Sequence, residues 1–408
     1  MSLRDKKHPI RFALLLAAFS ALGPFTFDMY LPAFPQLTKF FGTSASAIQV
    51  SITACLLGVG VGQIVMGPLS DVHGRRKPLL IAMIIYALAS FGCAFSPNIA
   101  TFIALRFLQG FAASAGMVIS RAIVRDFYSG VELTKFFSLL TMIGNLAPLL
   151  APIAGSAVIS FSTWNGVFIF LGLLGLFLSS ITTWKLKESL PVERRVPSNF
   201  KALLRNFKTL LQNRTFMGYA LAQGIMMAGI FAYISGTPFI YQKIYGVSPQ
   251  VFAMLFALNG ISLIIGAQTV RRLAGRITER RILLIGMSMA FITSTVVLIV
   301  VLTHGPLFSL VIPLFLFVAS LGLVGPVTFT LAMESQGHIA GSAASLLGVI
   351  PFLLGSVTSP LVGIAGEYSA TPFGVIIFTT SLLAIIAYVT LVKNDKTVVA
   401  SEKQVLNH

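Results

Sequence analysis

Long stretches without a charged residue restrict the fold of this chain more than any other feature. Among them are residues 40–70, 136–184 and 282–333. One helix needs about 20 consecutive apolar residues to cross a hydrocarbon core. Only 10% of the side chains are charged, against about 25% in a soluble domain. The sequence therefore predicts an all-α polytopic membrane protein.

Turn-forming residues divide the longest stretches into single spans. The two longest break at residues 162–166 and 304–306, where Ser, Thr, Asn, Gly and Pro cluster, and a third breaks at residues 96–98. With a first span near residues 11–36, the count reaches twelve transmembrane helices.

The basic residues indicate which side of the membrane each loop faces. All but three of the 29 Lys and Arg residues fall on one side of the predicted spans; the exceptions are Arg106 within a span, and Lys39 and Lys243 on the other side. By the positive-inside rule the basic side, with both termini, is cytoplasmic, and the protein belongs in the cell membrane. The net charge of +17 then reflects topology and attraction to anionic lipid, and not nucleic-acid binding.

A basic stretch in the middle of the chain separates two halves. The predicted domains are an N-terminal six-helix bundle (1–190), a cytoplasmic linker (191–213), a C-terminal six-helix bundle (214–395) and a cytoplasmic tail (396–408). Apolar residues recur at helical spacing in the linker, which predicts an amphipathic helix on the inner leaflet. A solvated basic linker is the alternative.

The two halves resemble each other in sequence. A shift of half the chain length lays Gly62 on Gly266 and Arg76 on Arg280, so that two cytoplasmic loops become equivalent. Parallel repeats of this kind are typical of carriers with alternating access. We expect the protein to be a monomer.

A glycine-containing, basic loop follows the second span. Residues 67–80 read GPLSDVHGRRKPLL, and they resemble the signature loop of the major facilitator superfamily. The resemblance implies the fold of that family, with twelve helices in two pseudo-symmetric bundles, and a loop that governs the outward-facing state. The positions expected to form this lock are Gly67, Asp71, Gly74, Arg75, Arg76 and Asp126.

The chemistry of this loop suits a reversible lock. Glycines permit a tight turn, while charged side chains can bind neighbouring helix ends and release them. The resemblance implies that Asp71 faces the N-terminal end of the eleventh span and that Arg75 pairs with Asp126. The second copy has Gly275 and Thr278 in place of Asp71 and Gly74, so only the first copy is expected to be a full lock. The alternative is that these charges only anchor the topology.

The fourth and fifth spans carry two further matches. Residues 105–113 are similar to the family's fourth-span motif, whose arginine, Arg106 in this chain, lies within the membrane. Residues 144–155 are similar to the fifth-span antiporter motif, with Ala-Pro in place of the commoner Gly-Pro. Small residues allow helices to approach closely, and prolines bend them. The residues of this antiporter motif are Gly144, Pro148, Pro152 and Gly155.

Four shorter segments resemble one particular branch of the superfamily. Residues 27–35, 120–126, 233–241 and 245–249 closely resemble the bicyclomycin- and chloramphenicol-resistance (Bcr/CflA) branch of drug:proton antiporters. The resemblance extends over essentially the whole chain through the twelfth span. It implies efflux of drug-like or other small molecules by exchange for protons. No cofactor or metal is expected, because the proton gradient drives the transport.

Two ionisable residues fall inside the predicted spans, namely Asp28 and Arg106. A charge at the centre of a membrane helix costs at least about 2.5–3.5 kcal/mol, so such a residue is functional by default. Asp28 is therefore the expected proton carrier, with Arg106 as its partner in proton coupling. Two alternatives remain open: Asp28 lies at the outer interface and only orients the chain, and Arg106 only donates hydrogen bonds to helix carbonyls.

A cavity that accepts varied cargo needs polarizable, aromatic and hydrogen-bonding walls. Most methionines in apolar helices only pack, which is the alternative at each position. The residues predicted to line the substrate cavity are Met29, Tyr30, Gln109, Asn145, Gln223, Met226, Met227, Tyr233 and Asn259.

Other functions find less support in the sequence. The five His residues fall in predicted loops or tails, and no zinc-protease or phosphate-loop motif is present, so we do not expect an enzyme. Two rivals to efflux remain: a proton-coupled importer of a sugar or other metabolite on the same fold, and a membrane receptor that transports nothing.

Overall fold

The computed structural model describes residues 9–128, 130–195, 200–334, 336 and 339–393. Helices account for most of these residues, and no strand occurs among them, which confirms the all-α fold. The helices are α1 (Pro9–Asp28), α2 (Phe34–Phe41), α3 (Ala45–His73), α4 (Arg76–Ala94), α5 (Ile99–Phe127), α6 (Gly130–Phe161), α7 (Trp164–Trp184), α8 (Phe200–Gln212), α9 (Arg214–Phe239), α10 (Pro249–Leu273), α11 (Glu279–Leu302), α12 (Leu307–Met333), α13 (Ala340–Leu361) and α14 (Thr371–Tyr388).

The membrane spans agree with the predicted count. Eleven helical segments in the described ranges are long and apolar enough to cross a bilayer. Helix α6 carries a shorter apolar segment, Leu146–Phe161, at the place of the predicted fifth span. The protein is therefore a multi-pass membrane protein.

The turn residues act at the predicted places. Helix α6 ends at Phe161 and α7 begins at Trp164, while α11 ends at Leu302 and α12 begins at Leu307. The Asn98 side chain accepts a hydrogen bond of 2.9 Å from the backbone N–H of Thr101 and so caps α5.

The first span differs from the prediction of one helix near residues 11–36. Helix α1 ends at Asp28, a short 3-10 turn spans Leu31–Ala33, and α2 continues to Phe41. Proline lacks the N–H that would bond the carbonyl four residues earlier. Pro32 therefore leaves the Asp28 carbonyl without its helical donor at the point where α1 ends.

The repeat seen in the sequence has a counterpart in helix packing. Helix α4 packs on α5 and α7, and α11, its equivalent after the half-chain shift, packs on α12 and α14. A Cβ on Gly62 would lie 2.7 Å from the Phe111 carbonyl of α5, and a Cβ on Gly266 would collide with the Ala319 carbonyl of α12. The equivalent glycines thus allow equivalent close crossings.

The described residues form two compact units. The first contains the residues up to 195 with 237–260 and 366–368, and the second contains 200–236, 261–365 and 369–393. This division differs from the predicted bundles at 237–260 and 366–368. One reason lies within the first unit, where the Phe239 ring packs 5.6 Å from the ring of Phe34.

The predicted linker helix is present as α8. Leu210 is fully buried, whereas Leu204 and Leu211 are exposed together with Arg205 and Lys208. An exposed apolar and basic surface suits a helix on anionic lipid. Its placement on the inner leaflet stays a prediction.

Candidate functional site

Asp28 ends α1 in the interior of the first unit. Its side chain is only 2% exposed, and its Oδ1 atom has no hydrogen-bond partner in the described part of the chain. Burying an ionised carboxylate without a donor is costly, and taking up a proton removes the charge. The structure thus places a buried carboxyl group with one unsatisfied oxygen at the position predicted for the proton carrier.

Arg106 lies on α5 and is fully buried in the same unit. Its guanidinium donates hydrogen bonds to the Gln109 side chain at 2.5 Å and to the Thr26 carbonyl at 2.9 Å. Thr26 lies two residues before Asp28, in the last turn of α1. The regular backbone hydrogen bonds of the helix stop there. The break in α1 therefore supplies an acceptor for the arginine.

Two aromatic rings flank the guanidinium of Arg106. Its central carbon lies 4.2 Å from the ring centroid of Tyr30 and 5.6 Å from that of Phe168. A desolvated cation over an aromatic face gains about 2 kcal/mol. No carboxylate among the described residues forms an ion pair with Arg106, and its Nε atom has no partner there. The rings and the two oxygen acceptors stabilise the buried charge.

Hydroxyl groups extend this polar site into the neighbouring helices. Gln109 donates to Ser90 at 2.7 Å, Thr26 shares a hydrogen bond of 2.9 Å with Tyr86, and Tyr30 shares one of 2.9 Å with Ser51. Single hydroxyl groups are common in membrane helices, so the sequence alone does not single out Thr26, Ser51, Tyr86 and Ser90. Four helices, α1, α3, α4 and α5, thus contribute to one buried network.

The antiporter motif of α6 reaches this site through one glycine. A Cβ on Gly155 would collide with the carbonyl oxygen of Met29, the residue after Asp28. Gly144 is different, since a Cβ there would meet no described atom within 4 Å. Helix α6 continues through both Pro148 and Pro152.

The predicted cavity residues fall into separate groups. Three of them are buried in the first unit. Met29 and Tyr30 follow Asp28 in the chain, and Gln109 belongs to the hydrogen-bonded network around Arg106. Asn259 is buried in the first unit, and the Asn145 side chain lies outside the described residues. In the second unit α9 carries Gln223, Met226, Met227 and Tyr233, of which Met226 and Tyr233 are buried.

A cavity of about 500 Å³ is lined by other residues. It is found in the second unit, at the N-terminal end of α11 and the C-terminal end of α12, and none of the predicted cavity residues lines it. Its lining residues include Glu279 and Glu334. The substrate-cavity assignments therefore stay predictions.

The loop between α3 and α4 brings together most of the expected lock. Arg75 forms ion pairs with Asp71 at 2.5 Å and with Asp126 of α5 at 3.0 Å, and it donates to Ser70 at 2.8 Å. Burial lowers the pKa of Arg75, but its hydrogen bonds to Asp126 and Asp71 outweigh this effect and leave the pKa above its ordinary value. The expected contact between Arg75 and Asp126 is present in the structure.

The other lock residues have different surroundings. The Arg76 guanidinium donates to the carbonyls of Thr182 and Thr183 at the end of α7. A Cβ on Gly67 would make only an ordinary contact of 3.6 Å, with Val118. The Asp71 side chain is 53% exposed, and its expected contact with the eleventh span stays a prediction, as does the lock itself.

The equivalent loop in the second half is built differently. Arg280, which corresponds to Arg76, donates to the Tyr388 hydroxyl at 2.7 Å. Gly275 stands where the first copy has Asp71, and a Cβ on it would meet no described atom within 4 Å. That only the first copy acts as a full lock stays a prediction.

The fold and the buried charged site define a polytopic membrane carrier made of two repeated halves. The sequence model described as Major Facilitator Superfamily matches residues 14–360. The chain therefore belongs to this family of membrane transporters, and it is not an enzyme.

Curated relatives extend over nearly the whole chain. An uncharacterised MFS-type transporter of Bacillus subtilis, YdgK, is 50% identical over 389 residues, which cover 95% of this chain and 96% of its own length. A chloramphenicol resistance protein of Pseudomonas aeruginosa is 30% identical, covering 94% and 90%. A bicyclomycin resistance protein homologue of Haemophilus influenzae is 28% identical, covering 95% and 97%. The resemblance to the bicyclomycin- and chloramphenicol-resistance proteins is thus confirmed, and bacterial relatives indicate the plasma membrane.

Solved structures support the fold. A crystal structure of a D-xylose–proton symporter is similar with a TM-score of 0.73 and 15% identity, covering 94% of this chain and 98% of that protein. At this identity the likeness concerns the fold alone.

Proposed function

We propose that this transporter exports small, drug-like molecules or metabolites in exchange for protons, with Asp28 as the site of proton coupling. One observation carries the proposal: the Asp28 carboxyl is buried and its Oδ1 atom has no donor in the described structure. Such a group gains from binding either a proton or a donor on a cargo molecule. Mutually exclusive occupancy of one group by proton and cargo is the requirement for exchange.

Arg106 supports this role by position. It is held by Gln109, by the Thr26 carbonyl and by the Tyr30 ring, and not by a carboxylate. Burial favours uptake of a proton by Asp28, and a positive charge that approaches it during the cycle would favour loss of that proton. The two effects together allow the carboxyl to change its state within the cycle.

The membrane potential can drive export of the cargo against a large concentration gradient. Each net charge that moves down a potential of 100 mV supplies about 2.3 kcal/mol. At about 1.4 kcal/mol per tenfold, this corresponds to a gradient of roughly 40-fold. The cargo charge and the number of protons set the actual limit.

The printed names of two relatives suggest cargo for a first test, namely bicyclomycin and chloramphenicol. Each compound is added to the weakly buffered, detergent-purified protein, and proton release is measured together with binding. Antiport predicts that binding of cargo releases protons from the wild type and that Asp28→Asn abolishes this release, because binding and protonation are linked. Glu193→Gln, which changes an exposed carboxylate, is the matched control and should behave as the wild type.

The sign of the proton change distinguishes the rival functions. Uptake of protons on binding of cargo would indicate symport and overturn the antiport proposal. Equal release from the wild type and Asp28→Asn would move the coupling to another group. Binding without any proton change would favour uniport or a receptor.

The proposal includes a monomer with both termini in the cytoplasm. The excess of Lys and Arg on one side of the spans supports this orientation. A green fluorescent protein fused to the C-terminus should fluoresce in bacterial cells, because it folds in the cytoplasm. A dark fusion together with an active periplasmic reporter at the same position would contradict the orientation.

A further inference from the structure

The first residues of the interdomain stretch bind the start of α4. The Glu188 carboxylate accepts hydrogen bonds from the backbone N–H groups of Arg75 at 2.7 Å and Arg76 at 3.2 Å. The first N–H groups of a helix have no partners within it, and they carry the positive end of the helix dipole. Glu188 therefore caps α4 from a segment more than one hundred residues away in sequence.

Gly74 fits this contact by its conformation and by its size. It has φ of +85°, which favours glycine, at the end of α3. A Cβ at this position would collide with the Glu188 carboxylate and lie 2.8 Å from the Arg195 guanidinium. The α3–α4 loop and the segment that follows α7 thus pack closely against each other at Gly74.

Ser189 binds the opposite partner of the central ion pair. Its hydroxyl donates to Asp126 Oδ2 at 2.7 Å, the same oxygen that accepts the Arg75 Nε–H at 3.0 Å. Glu188 also accepts from the backbone N–H groups of Ser189 and Leu190, each at 3.0 Å. The short turn at 188–190 is therefore closed by its own hydrogen bonds. Its first residue binds the backbone of Arg75, and its second binds the Asp126 carboxylate.

We propose that Glu188 and Ser189 are positioning residues of the transport cycle. They hold Arg75 against Asp126, so that the loop and the beginning of the linker move together, and loss of either contact changes the balance between the conformations of the transporter. This inference rests on membership of the transporter family, and it requires neither proton coupling nor a particular cargo.

Hydrogen exchange of the full-length protein in detergent tests the contacts. Glu188→Ala should make the amides of Arg75 and Arg76 exchange at least about tenfold faster, since hydrogen bonds to a charged group are worth about 1.5–3 kcal/mol. Glu193→Ala, a change of an exposed acidic residue in the same segment, should leave these amides unchanged. Unchanged exchange in Glu188→Ala would overturn the proposal.

Spin labels test the effect on conformation without cargo or gradient. The repeat-equivalent exposed residues Lys77 and Arg281 are replaced by Cys and labelled, while Cys55 and Cys93 are buried. Distances between the labels are measured by double electron–electron resonance. Glu188→Ala should change the ratio of the distance populations by about threefold or more, and Glu188→Gln, which retains one acceptor oxygen, should give an intermediate ratio.

The second measurement separates positioning from simple stability. Faster exchange with an unchanged distribution of distances would make Glu188 only a helix cap and would overturn the proposal. Where Glu188→Ala fails to fold, Ser189→Ala serves instead, since it removes one hydroxyl group. It should change the distance populations in the same direction, and an unchanged ratio in a folded Ser189→Ala protein would equally refute the role.

Discussion

Two glycines of the antiporter motif in α6 should respond oppositely to the same substitution. At Gly155 an added methyl group would collide with the Met29 carbonyl, whereas at Gly144 it would meet no described atom within 4 Å. Both residues lie inside α6. The pair Gly155→Ala and Gly144→Ala therefore compares one chemical change in two environments on one helix.

The expected magnitudes follow from packing and helix propensity. Forcing a methyl group into a filled site costs about 1–3 kcal/mol. Replacing Gly by Ala inside a helix gains about 0.5–1 kcal/mol. After the two terms are combined, we expect Gly155→Ala to lose up to about 2.5 kcal/mol of stability and Gly144→Ala to gain about 0.5–1 kcal/mol.

Thermal unfolding in the same detergent measures the difference. The apparent midpoint should fall for Gly155→Ala and should not fall for Gly144→Ala. Proton release on cargo binding should also weaken in Gly155→Ala, because Met29 adjoins Asp28. Equal midpoints for the two variants would refute the argument that close approach to the backbone requires Gly155.

Two further predictions concern Tyr30 and Arg75. Tyr30→Phe loses one hydrogen bond to Ser51, which costs about 0.5–1.5 kcal/mol of stability. Tyr30→Leu also loses the ring beside Arg106, which costs about 2 kcal/mol more. Equal unfolding midpoints for the two variants would contradict this role of the ring. The pKa of Arg75 is raised, so its contribution to stability is complete below the unfolded pKa and is lost only at pH values far above neutral. Protection of the α3–α4 loop from hydrogen exchange, corrected for intrinsic rates, should thus stay constant from about pH 6 to about pH 9, and a loss on raising the pH within this range would refute the assignment.

Most of the fold could be predicted because lipid imposes a simple pattern on the sequence. Charge-free runs located the spans, and Gly, Pro, Ser and Asn located their ends. The break after Asp28 could not be predicted in the same way, although Pro32 and Pro35 are visible. Helix α6 continues through Pro148 and Pro152, so a proline alone does not decide whether a membrane helix ends. Contacts with other helices, such as that of Arg106 with the Thr26 carbonyl, also help to determine where a helix ends.

Only part of the candidate site could be predicted from the sequence. Ionisable residues inside spans are rare enough to single out Asp28 and Arg106. Their hydroxyl-bearing neighbours carry no such signal, because Ser51 and Ser90 look like many other serines in apolar helices. Glu188 was also missed, since its contact with Arg75 joins residues 113 positions apart. Such pairs are determined by the tertiary fold and leave no local pattern.

The glycine crossings in the two halves limit which movements the transporter can use. The backbones of α3 and α5 touch at Gly62, and those of α10 and α12 touch at Gly266. Sliding or rotation within either pair would bring larger side chains against the facing backbone, and packed interiors do not deform smoothly. Each helix pair must therefore travel as one rigid piece, so the motion that carries cargo across the bilayer must occur at looser contacts outside these pairs.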